Sequence, residues 1–155
     1  MMARAVDAAR DESQKSKSGR PLLLAVTVLT SLKVDELQAV GIPSQPGDQV
    51  LRLARLARKA GADGVVCSPQ EIRLIRNEFG PELLVVTPGI RPSWAAAQDQ
   101  KRIMTPREAF EAGADYIVVG RPVTAAASPA EAFLKIAQEL DGPDDAAHRK
   151  DRAQD

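Results

Sequence analysis

Arginine and glycine at the ends of apolar runs are the residues of this sequence best suited to chemistry. Tyr116-Ile-Val-Val119 is followed by Gly120-Arg121-Pro122-Val123-Thr124, and Leu83-Leu-Val-Val-Thr87 by Pro88-Gly89-Ile90-Arg91-Pro92. A glycine there lets a ligand approach the backbone, and a guanidinium offers a planar, permanently charged fork for phosphate oxygens. Arg91, Arg121 and Gln100, which lies in the polar loop after Arg91, form a set able to converge on one anion. The competing reading makes Gly120-Arg121-Pro122 a plain turn and Arg91 a surface charge. The local pattern leaves both open.

The other polar candidates are weaker. Thr27, Thr30 and Ser31 close the run Leu22–Val28 and suit a ligand or an ordinary strand end equally. Cys67 reads better as a packed small hydrophobe than as a nucleophile. Trp94 is either a lid anchor or a half-buried loop residue. Glu71 and Asp63 read better as a helix N-terminal charge and a turn residue than as catalytic acids. A single cysteine rules out an internal disulfide or a Cys-rich zinc site, and the single histidine, His148, lies in a polar stretch unsuited to a triad or metal cage. Lys and Arg total 21 against 21 Asp and Glu, so nothing draws a nucleic acid polymer or an anionic membrane. No apolar run approaches the roughly 20 residues that span a bilayer, and the first residues have no secretory pattern. The expected location is the cytoplasm.

These residues need elements to position them. Four short runs, Leu22–Val28, Gly64–Cys67, Leu83–Thr87 and Tyr116–Val119, are continuously apolar, which predicts strands of a parallel sheet buried on both faces. Between them Val50, Leu51, Leu53, Ala54, Leu56 and Ala57 form a helical stripe, as do Ile72, Leu74, Ile75 and Phe79, and then Ala109, Phe110 and Ala112. Ser128-Pro-Ala-Glu131 opens a last helix carrying Ala132, Phe133, Ile136, Ala137 and Leu140. Lys59-Ala-Gly-Ala-Asp-Gly-Val-Val66 is echoed by Glu111-Ala-Gly-Ala-Asp-Tyr-Ile-Val118, with glycine where a helix stops in the left-handed region and a strand starting soon after. The order predicts an α/β fold of repeated (β/α) units, with ligands at the C-terminal strand ends. Residues 1–140 read as one domain and 141–155 as a polar tail.

At the same positions a family resemblance enters. Leu24-Ala-Val-Thr-Val-Leu-Thr-Ser31, Asp63-Gly-Val-Val-Cys-Ser68, Val86-Thr-Pro-Gly-Ile-Arg-Pro92, Asp99-Gln-Lys-Arg-Ile-Met-Thr-Pro106 and Asp115-Tyr-Ile-Val-Val-Gly-Arg-Pro-Val-Thr124 resemble bacterial orotidine 5′-phosphate decarboxylases, collinearly from Met1 to about Leu140. The resemblance implies a homodimeric (β/α)₈ barrel that needs no metal or organic cofactor. It also implies conversion of orotidine 5′-monophosphate to UMP and CO₂, the last step of de novo pyrimidine synthesis. By position, Thr30 resembles a residue near the pyrimidine ring, and Gln100 a ligand contact from a mobile phosphate-gripping loop. Arg91 resembles a further substrate-binding residue, and Gly120 and Arg121 the contacts to the phosphate dianion.

The sequence departs from that pattern in what it lacks. A full barrel takes about 250 residues, and this chain matches the C-terminal half, strands five to eight. The family's reactive lysine lies in Asp-x-Lys-x-x-Asp, which occurs nowhere in these 155 residues. No catalytic residue is therefore assigned. Met1-Met2 resembles an internal Met-Met of relatives, so the expectation is a truncated decarboxylase that is inactive alone and either self-associates or is poorly soluble. Two alternatives are a sugar-phosphate decarboxylase or aldolase of the same superfamily, and a non-catalytic half-barrel. The latter would bind a nucleotide phosphate or a complementing N-terminal half.

Overall fold

Short Val- and Leu-rich runs bounded by turns form strands only if neighbours satisfy their backbone groups, and here each finds one in the next run along the chain. The computed structural model describes residues 1–16, 19–95 and 104–140. Their elements run α1 (Met2–Ser16), β1 (Leu24–Val26), α2 (Val34–Ala39), α3 (Pro46–Lys59), β2 (Gly64–Val66), α4 (Ile72–Phe79), β3 (Leu84–Pro88), α5 (Pro106–Glu111), β4 (Tyr116–Val118), α6 (Arg121–Thr124) and α7 (Pro129–Leu140). The strands lie in sequence order β1-β2-β3-β4, and every pairing is parallel. This is the predicted α/β arrangement of (β/α) units. It adds the short helices α2 and α6, which the apolar pattern did not signal.

The register sorts the strand residues onto two faces. Val26, Val66, Val86 and Tyr116 align across the sheet, as do Leu24, Gly64 and Leu84, and Pro88 with Val118. Alternation then puts Ala25, Val65, Val85, Thr87 and Ile117 on the opposite face. That second face meets the helices: Val65 and Val85 share one buried cluster with Val50, Ala54 and Ala57 of α3 and Ile72, Ile75 and Phe79 of α4. The first face carries no helix among the described residues and leaves Leu24, Val26, Tyr116 and Val118 40–59% exposed. Continuous hydrophobicity thus predicts burial on both faces, whereas on one face the two outer strands stay exposed.

Both glycines of the Ala-Gly-Ala-Asp echo have the predicted left-handed backbone, with φ of 83° at Gly61 and 107° at Gly113. A Cβ at Gly113 would stand 2.9 Å from Arg76 Cγ, so packing excludes a side chain there as well as conformation. The helical stripes are narrower than the sequence predicts. Leu56, Leu74, Phe110 and Phe133 are exposed, while Ala54, Ala57, Ala109 and Ala132 beside them are buried. Small residues let helices lie close on a twisted sheet, and the bulkier members of each stripe are left at its margin.

Candidate functional site

A parallel sheet has chemically distinct ends, and the predicted site residues fall at one of them. Thr30 lies beyond the C-terminal end of β1, half-buried in a turn closed by the Leu32 amide donating to the Leu29 carbonyl at 3.0 Å. Arg91 follows β3 and is 8% exposed. Its amide donates to the Met104 carbonyl at 2.9 Å, beside the parallel bridge Ile90–Met104. Gly120 and Arg121 follow β4, where Gly120 caps α6 through its carbonyl, which accepts from the Val123 and Thr124 amides. Among the described residues, and apart from its chain neighbours, no atom lies within 4 Å of where a Gly120 Cβ would be, so the backbone there is open to a ligand. Gln100 lies outside the described residues.

Strand spacing sets how far these residues are from one another. Arg91 and Arg121 follow adjacent strands, about 4.8 Å apart, whereas Thr30 follows β1, three spacings or about 14 Å from β4. The two arginines differ in setting, since Arg91 is buried and Arg121 exposed. A nucleotide monophosphate has similar dimensions, with its phosphate and base at opposite ends. Gly89, with φ of 83°, gives the Thr-Pro-Gly-Ile-Arg loop the left-handed turn that brings Ile90 and Arg91 back under the sheet end.

Threonine hydroxyls hold this end together. Thr27 Oγ1 donates to the Val66 carbonyl at 2.8 Å and Thr87 Oγ1 to the Cys67 carbonyl at 3.0 Å, each reaching the neighbouring strand. Thr27 therefore belongs to the scaffold, one of the two roles its sequence position allowed. Cys67 is 1% exposed, and burial, reinforced by the charge of Glu71, pushes its thiol up to about 12. It packs as a small hydrophobe and does not act as a nucleophile. Glu71 precedes α4, as expected of a helix N-terminal charge, but it is buried. Trp94 is exposed and lies under the Lys135 ammonium of α7, 5.9 Å from ring centroid to Nζ.

The opposite end of the sheet carries the aspartates of the echo. Asp63 accepts from the Leu23 amide at 2.7 Å and pairs with Arg20; Asp115 accepts from the Val85 amide at 2.7 Å and pairs with Arg76. Each carboxylate ties the start of its own strand to the strand before it. Arg76 also donates to the carbonyls of Gly113 (2.6 Å), Leu83 (2.8 Å) and Gly80 (3.0 Å), joining α4, β3 and the turn before β4. Conserving one carboxylate in two repeats is a stability device at the N-terminal face, and sequence reasoning missed Arg76 because its partners are mostly backbone atoms.

The comparisons with known proteins agree with this geometry. The orotidine 5′-phosphate decarboxylase / HUMPS family model matches residues 1–136. The chain belongs to that family. An orotidine 5′-phosphate decarboxylase of Geobacter sp. (strain M21) is 54% identical over 132 residues, covering 85% of this chain and 55% of the relative. One from Trichlorobacter lovleyi is 55% identical over 140 residues, covering 90% and 57%. The crystal structure of orotidine 5′-phosphate decarboxylase from Lactobacillus acidophilus superposes with a TM-score of 0.69 at 41% identity, over 81% of this chain and 51% of that one. A conserved protein from Geobacillus kaustophilus superposes with a TM-score of 0.73 at 34% identity, over 90% and 58%. The chain spans about half the length of the curated relatives it matches, and the fold is the corresponding part of a TIM barrel.

Proposed function

We propose that this chain supplies the phosphate-binding part of an orotidine 5′-phosphate decarboxylase site. The observation that carries the reading is the shared placement of Thr30, Arg91, Gly120 and Arg121 at the C-terminal ends of parallel strands, the ligand-binding end of such sheets. Arg121 and the open backbone at Gly120 hold the phosphate dianion of orotidine 5′-monophosphate, Arg91 and Gln100 are further substrate contacts, and Thr30 serves the pyrimidine. Gripping the dianion orders the site and excludes water, so remote binding energy lowers the barrier at the pyrimidine carbon that loses CO₂. The bond to the carboxylate breaks, its electron pair stays on that carbon, and a proton from the family's lysine motif replaces it.

That motif lies outside these 155 residues, so in this reading the chain binds UMP and does not decarboxylate by itself. Residues 1–140 act as the barrel segment, and the polar stretch 141–155 lies outside the described residues. A complete enzyme of this family would work without a cofactor as a cytoplasmic homodimer. The absence of Asp-x-Lys-x-x-Asp also favours a second reading, a non-catalytic half-barrel that holds a nucleotide phosphate or a complementing half.

A UMP titration followed by NMR tests the binding claim. UMP is expected to bind weakly, with Arg121→Ala weakening it at least tenfold, about 1.4 kcal/mol for one charge-assisted contact. Uridine without phosphate is expected not to bind. Equal affinity for UMP and uridine, or an Arg121→Ala variant that binds as well as the parent, would remove the phosphate reading.

A further inference from the structure

We propose that the helix-free face of the sheet is closed by a second copy of this chain, giving an eight-stranded parallel barrel with a two-fold axis along its centre. The exposed apolar residues carry the argument. Leu24 and Val26 on β1 and Tyr116 and Val118 on β4 are the most exposed strand residues, and they lie on the same face of the two outermost strands. The aligned residues of the inner strands are better covered: Gly64 is buried, Val86 is 8% exposed, and Val66, Leu84 and Pro88 are half-buried. A Cβ at Gly64 would fall 2.8 Å from Leu24 Cδ2 and 2.6 Å from Leu84 Cβ, so the flanking leucines already close over β2. Exposure is greatest at the two edges where further strands would add.

Those edges suit each other. Among the described residues nothing pairs with the outer side of β1 or β4, and each presents a row of free backbone donors and acceptors. All four strands run the same way, so a copy rotated by half a turn about the barrel axis brings its β1 beside the first copy's β4, parallel, and its β4 beside the first copy's β1. Both seams form at once and no edge remains. Four strands per chain make the eight that a closed barrel of this kind requires, and the chain matches only about half of its barrel relatives. The terminal helix α7 also leaves Phe133 and Leu134 exposed. A formal net charge of zero puts no net repulsion between the copies.

This pairing joins two sheets into one barrel and differs from a dimer of finished barrels. Sedimentation equilibrium of the 155-residue chain is expected to give twice the monomer mass. Val26→Glu on β1 and Val118→Glu on β4 are each expected to weaken the dimer at least 100-fold. Val40→Glu, at an exposed position after α2, is expected to leave it unchanged. Because an edge variant can also fail to fold, hydrogen exchange of the parent chain gives an independent reading. The amides of Leu24–Val26 and Tyr116–Val118 should gain protection as protein concentration rises. A monomer at all concentrations overturns the proposal, and so does a dimer indifferent to both edge substitutions. A ladder of oligomers without a preferred size also overturns it, since that is edge-to-edge growth without closure.

Discussion

Asp63 is held by three donors, two from Arg20 and one from the Leu23 amide, and the Arg20 guanidinium foremost keeps its carboxyl below the ordinary 3.8. A carboxyl depressed in the folded state adds stability that is complete above its unfolded value and disappears as pH falls through its folded one. The parent chain should therefore lose stability between pH 5 and pH 3 more steeply than Asp63→Asn, by urea unfolding at each pH. Equal losses in the two proteins would show that the Arg20 pair contributes nothing to folding. Glu78 and Glu108 are depressed as well, by Arg55 and by the Thr105 amide, and supply an acid sensitivity that both proteins share. At the other end of the strands, a thiol near 12 in a 1% exposed Cys67 leaves almost no thiolate at pH 8. Iodoacetamide should alkylate it in urea and not in buffer. Rapid labelling of the folded chain would mean that the C-terminal end of β2 opens readily.

At the scale of elements, α5 is the most dependent on its cap, because six residues are too few to hold a helix by propensity. Thr105 Oγ1 accepts from the Glu108 amide at 3.2 Å, and the Glu108 carboxylate accepts from the Thr105 amide at 2.8 Å. Thr105→Ala is expected to cost about 1 kcal/mol, measured as a lower urea midpoint with an unchanged slope. An unchanged midpoint would show that α7, packed beside α5, holds that helix without the cap. Much of this layer was legible beforehand. The four apolar runs became the four strands, and the echo placed both left-handed glycines, because burial and positive φ leave direct marks on composition. The exposure of Val26 and Tyr116 was not legible from composition, since an apolar run is written the same way whether its second face is covered by its own chain or by another. The buried setting of Arg91 was equally hidden, because local sequence gives the charge of a residue and not the packing around it. Of the candidate site, the position of Arg91, Gly120 and Arg121 after the strands and their fitness for an anion could be read from the sequence, while the role proposed for Thr30 came from family likeness.

For the whole molecule, the open face and the candidate site are two aspects of the same surface. The strand ends that carry Arg91 and Arg121 rim the barrel that the open face would enclose, so whatever closes the sheet also completes the pocket. A second copy would close it with another Arg91 and Arg121 and no lysine motif. The N-terminal half of a relative such as the Geobacter enzyme closes it with the Asp-x-Lys-x-x-Asp that the family resemblance implies. The two occupants compete for one pair of seams, and this makes activity depend on exchange. The chain alone should give no decarboxylation of orotidine 5′-monophosphate above the uncatalysed rate, followed by the fall in orotate absorbance. Adding the relative's N-terminal half should produce activity after a lag that lengthens with the concentration of this chain, since its dimer must first dissociate. The same addition to Val118→Glu should give less activity, because that substitution damages the seam both partners use. Arg121→Ala should form the complex normally and still fail to turn over. Activity from the chain alone would place a proton donor within these 155 residues. A lag independent of concentration would separate the self-association from the face that completes the enzyme.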